Sequence, residues 1–183
     1  MKRVIFFGLL ISFNLSAQDV HFSQFDKSNN IFNPSLIGYQ KLDYKIGIQR
    51  RSQWSEVSTP FKTTTIFFEI KEIIKNQSAG ISFLYDISGD SKLTSTGLSL
   101  GTSRTLNFKT KNKLKIGFQA SAYQRNVDFS SLIFPQQQVT IIEKPFWFFD
   151  LSLGGSYIQE ISKKTQIKTG CSAFHINQPK QTF

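Results

Sequence analysis

The sequence is poor in the residues from which most catalytic and metal centres are assembled. It has one cysteine, Cys171, in 183 residues, which excludes an internal disulfide framework and any cysteine-rich zinc module. Its two histidines, His21 and His175, lie too far apart for an H-E-x-x-H zinc motif. Five prolines and 11 glycines exclude collagen-like and low-complexity architectures. Charged residues make up 19%, below the roughly 25% of ordinary soluble domains, which argues against a disordered chain. A mean hydropathy of −0.21 argues against a helical membrane protein. What is present is phenylalanine, 19 of them, and a formal net charge of +10. The class left standing is a β-rich, phenylalanine-rich, basic chain.

The first residues read as an export address. Lys2 and Arg3 precede an apolar run over 4–13, which ends in Asn14-Leu15-Ser16-Ala17. A basic start, a short apolar stretch and a small residue at the cut are the parts of a secretory signal peptide. The expectation is a signal peptide over 1–17, cleaved after Ala17. The run falls short of the roughly 20 apolar residues that a spanning helix needs, and no later stretch reaches that length. Export also takes Lys2 and Arg3 away, which lowers the positive charge by two.

Beyond residue 38 the pattern is alternation, the period of a strand whose two faces differ. Seven strands are expected, at 39–49, 61–71, 79–87, 94–105, 114–123, 149–161 and 165–176. The fifth is the clearest. There Leu114, Ile116, Phe118, Ala120 and Ala122 alternate with Lys115, Gly117, Gln119, Ser121 and Tyr123.

Two architectures produce such a pattern. In a soluble β-sandwich the apolar face points into a core, whereas in an outer-membrane barrel it points at lipid and the polar face lines the lumen. Strand lengths near the roughly 9–11 residues of a tilted membrane strand favour the barrel, as do the expected export and faces rich in Gly, Ser, Thr, Gln and Lys. The connections agree. With the N-terminus in the periplasm, the outer loops are 50–60, 88–93 and the long 127–147, and the periplasmic turns are 72–78, 106–113 and 162–164. Long outer loops and short periplasmic turns are the barrel arrangement. The inner set holds Lys75, Lys109, Lys111, Lys113, Lys163 and Lys164, a charge suited to anionic lipid headgroups or a protein partner. Nucleic acid is a poor fit to an exported chain whose lysines sit in turns and whose aromatics sit in strands. Seven strands are an odd number, however, and an open sheet in lipid has two unpaired edges, each unmet polar group costing several kcal/mol.

Nothing in the sequence specifies an enzyme. Gly97-Leu98-Ser99-Leu100-Gly101 matches G-x-S-x-G, but that motif needs a strand-to-helix turn with a His and an acid around it. Here it lies within an alternating strand. Asp86-Ile87-Ser88-Gly89-Asp90 lacks the later bidentate Glu of a calcium loop and is read as a hairpin turn. No cofactor or metal site is expected.

Several pieces, taken in order, resemble a known family. They begin with Gln18-Asp19-Val20-His21-Phe22-Ser23-Gln24-Phe25, Phe32-Asn33-Pro34-Ser35 and Gly38. Arg50-Arg51-Ser52-Gln53-Trp54 is similar to an R-x-Q-W element, followed by Thr63-Thr64-Thr65. Gly80-Ile81-Ser82-Phe83 with Asp86, then Asp128-Phe129-Ser130 with Leu132, then Phe149-Asp150-Leu151-Ser152 continue the series. It closes on Gly170-Cys171-Ser172-Ala173-Phe174-His175-Ile176-Asn177-Gln178-Pro179. The ordered set, spanning 18–183, resembles the PorP/SprF family of the Bacteroidetes type IX secretion system.

The resemblance implies an outer-membrane barrel that works with the secretion machinery. It implies docking or anchoring of cargo proteins through their C-terminal domains, gliding adhesins included. It also implies likeness to fourteen-strand fatty-acid transporter barrels and a chain longer than this one. The expected organisation is therefore a signal peptide over 1–17, an N-terminal periplasmic segment over 18–38, and an incomplete barrel over 39–183, roughly half of fourteen strands. Missing strands supplied by a second chain are one way to close it. Arg51, Trp54, Asp86, His175 and Asn177 are the candidate partner-binding residues. Trp54 equally suits an aromatic interfacial belt, and His175 and Asn177 equally suit shaping the end of the last strand. The other function classes left open are a pore for small apolar molecules and a soluble secreted β-sandwich binding module.

Overall fold

The computed structural model describes residues 22–24, 27–56, 60–89, 92–108, 112–127, 145–162 and 165–181. The expected signal peptide, His21 and most of the 127–147 loop lie outside the described residues. Seven antiparallel strands follow one another in a single sheet, β1 (Tyr44–Gln53), β2 (Phe61–Ile74), β3 (Gln77–Ser88), β4 (Leu93–Asn107), β5 (Asn112–Asn126), β6 (Phe146–Glu160) and β7 (Gln166–Ala173). Each strand pairs with its sequence neighbours, and the sheet curls into a half-barrel. Number and order match the expectation.

Boundaries moved where side chains other than the alternating ones decided pairing. β1 begins at Tyr44 rather than residue 39, because 39–43 belong to the turn that enters the sheet. β2 and β3 run further toward each other than expected. Glu72 adopts φ 54 at a register shift between Ile70 and Ile74, so a bulge lets pairing resume at Ile74 and Gln77. The remaining connection is Lys75-Asn76, with Asn76 at φ 64, the left-handed conformation that Asn tolerates in tight hairpins.

The burial pattern is inverted relative to a water-soluble sheet. Ile46, Ile48, Ile66, Phe68, Leu98 and Leu100 are exposed on the convex face, Leu100 by 58%. The alternate residues, among them Thr65, Glu69, Ser103, Lys115, Ser121 and Ser152, are buried on the concave face. Water would not hold such a large apolar face open. In a bilayer the apolar face is solvated by acyl chains and the polar one is satisfied inside. The serines do satisfy each other: Ser121 Oγ donates to Ser99 Oγ at 2.8 Å. Among the described residues no helix is long and apolar enough to cross a membrane, a statement that leaves strands untouched.

The concave side is not empty. A short helical turn, α1 (Asn29–Phe32), leads into a 3-10 turn, η1 (Pro34–Leu36), seated against the middle of the sheet. Asn33 caps η1, its Oδ1 accepting from the Ser35 N–H at 2.9 Å, and Pro34 supplies a preset φ at the first position. The segment is strapped to six strands. Gly38 N–H donates to Glu69 Oε2 on β2 at 3.0 Å. Ser103 Oγ on β4 and Lys115 Nζ on β5 both donate to the Ile37 carbonyl, at 2.7 and 3.1 Å. Asn33 Nδ2 donates to the Gly155 and Cys171 carbonyls of β6 and β7, at 3.2 and 3.1 Å, and Ser172 Oγ donates to the Phe32 carbonyl at 2.7 Å. Ile37, 1% exposed, fills the space over Gly80 on β3 and Gly101 on β4, and Pro34 and Ser35 lie on Gly117, where any Cβ would overlap their backbone. These glycines exist for close approach. The segment plugs the half-barrel.

Candidate functional site

The plug divides the concave side, and the candidate residues gather at one end of it. That end, the rim, carries the connections β1–β2, β3–β4 and β5–β6; the opposite end, the turn end, carries β2–β3, β4–β5 and β6–β7. Arg51, Trp54, Asp86, His175 and Asn177 all belong to the rim, although they derive from three separate strands or their extensions.

Asp86 and His175 meet at one cavity. Antiparallel pairing sets Asp86 opposite Thr63, and Thr63 Oγ1 donates to Asp86 Oδ1 at 2.5 Å while Ser88 Oγ donates to Oδ2 at 2.8 Å. After β7 the chain reverses. His175 takes φ 55 and Gln178 φ 44, conformations that cost non-glycine residues energy and need surrounding support. Support comes from a contact of His175 Nδ1 with Asp150 Oδ1 of β6 at 2.7 Å and from Gln178 N–H donating to the His175 carbonyl at 2.8 Å. The reversal carries Gln181 back over the sheet to Arg125. Arg125 Nη1 donates to the Gln181 carbonyl at 2.7 Å and Nη2 to its Oε1 at 3.1 Å. The guanidinium also lies 5.1 Å from the Phe148 ring centroid, within cation–π range. The resulting cavity, about 240 Å³, is lined by Asp86, Ser88, Tyr123, Arg125, Phe148 and His175 among others.

Asn177 has a different job. Beyond the last residue of β7 its carboxamide continues the ladder, with Oδ1 accepting from the Leu151 N–H at 3.0 Å and Nδ2 donating to the Phe149 carbonyl at 2.7 Å. A side chain thus stands in for a strand where the strand has ended. Replacing Asn177 by leucine is expected to leave two backbone groups of β6 without partners, at roughly 1–3 kcal/mol. Amide hydrogen exchange at Leu151 checks this; unchanged protection would show that the carboxamide is not what shields it.

Arg51 and Trp54 sit at the β1 edge of the same rim. Arg51 faces the concave side and helps line a cleft of about 420 Å³ with Phe22, Ser23 and Gln24, whose wall is fixed by Gln49 Nε2 donating to the Gln24 carbonyl at 2.9 Å. Trp54 is 66% exposed at φ 56 and packs edge-on against Phe61, centroids 5.3 Å apart. An exposed Trp held by a neighbouring ring is a rigid anchor for a partner or for the membrane interface.

Arg125, Phe148 and Gln181 were not among the candidates. Alternation across β5 continues two residues past Tyr123, so extending the period by one step puts Arg125 on the concave face. No local signal brings Gln181 there, because its position depends on the reversal at His175. Ser99 of the G-x-S-x-G match is buried within β4 with a serine for a partner. Among the described residues no three His, Cys, Asp or Glu side chains converge as a metal would require. The rim offers shape, the guanidinium groups of Arg51 and Arg125, aromatic surface and carboxylates.

A family model described as "Type IX secretion system membrane protein PorP/SprF" matches residues 14–183. No curated protein and no solved structure matches the chain.

Proposed function

Because the chain belongs to the PorP/SprF family of type IX secretion system membrane proteins, we propose that it is an outer-membrane β-barrel component that docks or anchors secreted cargo at the cell surface. The observation that carries this reading is the plugged concave face beneath a furnished rim. A segment held across six strands favours docking over conduction, and Arg51, Trp54, Asp86 and His175 offer a partner an Arg, an aromatic and two polar contacts from one end. The reading assigns no chemistry to the chain and takes it as a non-enzyme. The lysine-bearing turn end faces the envelope side, where the machinery is met. The outer edges of β1 and β7, which pair with no strand among the described residues, leave room for further strands, of a second chain among other sources, to close the barrel.

Co-purification tests the proposal. The full chain, extracted from membranes, is expected to bring down secretion-machinery components and a cargo C-terminal domain. Arg51→Ala and Trp54→Ala are each expected to lower recovery on the order of tenfold, the scale of an interface anchor. Recovery of neither partner with the unaltered chain would overturn the docking role. A flux of small apolar solutes through liposomes holding the chain without cargo would favour the pore instead.

A further inference from the structure

The convex face has one hollow. Residues of β3 to β7 that point outward, Gln77, Arg104, Phe118, Leu153, Cys171 and Ala173 among them, line a groove of about 770 Å³, a volume within the roughly 300–1,000 Å³ of ordinary ligand sites. Its inner wall is closed, because the backbone of Gly117 and Gly154 is backed by Pro34, Ser35 and Asn33 of the plug. The hollow itself exists because Gly155, cross-strand partner of Cys171, has no side chain: a Cβ there would meet nothing within 4 Å. The walls at mid-strand are apolar apart from Thr102, whose hydroxyl donates to the Ser78 carbonyl at 2.9 Å. The charged exception lies at the turn end, where the side chain of Arg104, an exposed residue near the end of β4, makes no hydrogen bond or ion pair with any described residue. A guanidinium on a lipid-facing surface is costly at mid-bilayer and tolerated near the interface. Here it stands where an apolar slot opens toward the headgroups. Arg pairs bidentately with phosphate, and basic pockets of membrane proteins hold anionic lipid headgroups.

We infer that this groove is a binding site for an anionic phospholipid, with one acyl chain laid over Gly155 between Ile116 and Cys171 and the phosphate on Arg104. The site rests on the reading of the convex face as lipid-facing. It gives the half-barrel a specific lipid rather than an average one.

The test uses the full chain in detergent with added phosphatidylglycerol or phosphatidylcholine. Native mass spectrometry is expected to show phosphatidylglycerol retained about fivefold more than phosphatidylcholine, the worth of one basic residue near an anionic headgroup. N-ethylmaleimide is expected to alkylate Cys171, the one cysteine of the sequence, more slowly with phosphatidylglycerol present. Arg104→Gln should bring the two lipids to equal retention. Gly155→Leu, whose Cβ meets no atom within 4 Å and whose side chain fills the slot, should lose retention of both while keeping strand content by circular dichroism. Equal retention by the unaltered chain, or undiminished phosphatidylglycerol on Gly155→Leu, overturns the site and leaves the membrane reading intact. Protection of Cys171 in native membranes by a co-purifying protein, with none from lipid, overturns it as well. A chain that stays monodisperse in water without detergent sinks the membrane reading itself.

Discussion

Leu100→Arg is expected to destabilise the folded chain in a bilayer by about 2–4 kcal/mol, the cost of an Arg on a barrel's lipid face at the midplane. Leu100 sits at the middle of β4 (Leu93–Asn107), outward and 58% exposed. In water a 58%-exposed leucine would tolerate arginine almost without cost, since surface substitutions mostly fall within about 0.5 kcal/mol. The two readings of the convex face therefore differ severalfold in one measurement. Urea titration of the chain folded into phospholipid vesicles supplies it, with Leu100→Phe as a control that keeps the surface apolar. A midpoint unmoved by arginine would mean that water or protein, not lipid, covers this face.

Gly117→Val is expected to unseat the plug. The added Cβ overlaps backbone atoms of Pro34 and Ser35, and neither backbone can yield as a flexible side-chain tip would. Overpacking of this kind costs roughly 1–3 kcal/mol. Displacement would further strand the Ile37 carbonyl's two donors, Ser103 Oγ and Lys115 Nζ, of which the lysine is a buried cation. Limited proteolysis reads the result: cleavage within 29–38 should be much faster in Gly117→Val than in the unaltered chain. Gly155→Ala serves as the control, because its Cβ points into open space and should change nothing. Protection of the segment in Gly117→Val would show that it is held elsewhere than on the sheet. The same variant bears on the docking proposal, since a half-barrel emptied of its plug should pass solutes that the plugged one stops.

These two positions also show what could be read in advance. Leu100 and Gly117 stand in the same kind of alternating pattern, and both faces were assigned correctly from period two. The role of Gly117 was not. In the sequence it is one small residue among several lining a lumen, and nothing marks Pro34, eighty-odd positions earlier, as its neighbour. The site divides the same way. Asp86 fell at the end of the expected third strand, where it opens the turn toward Gly89, but its partner Thr63 is given only by the antiparallel register that sets the two side by side on the concave face. His175 and Asn177 were recognised through their motif, but their separate tasks, one anchoring a chain reversal on Asp150 and the other completing the ladder of β6, depend on where β7 stops. Arg125 was missed because the strand was ended one period early.

Local chemistry alone determined the strand number, their order and which residues share a face, because side-chain direction in a strand follows from position parity and needs no partner. The inversion, apolar side out and polar side in, was decided only by the curl of the sheet. Parity is blind to it: the same string of alternating residues suits a sandwich core or a bilayer, and only curvature makes one face concave. The plug and the rim cavity likewise belong to tertiary structure. They are formed by residues far apart in the chain, such as Asn33 with Cys171 and Arg125 with Gln181, whose meeting depends on register, curvature and two left-handed residues acting together.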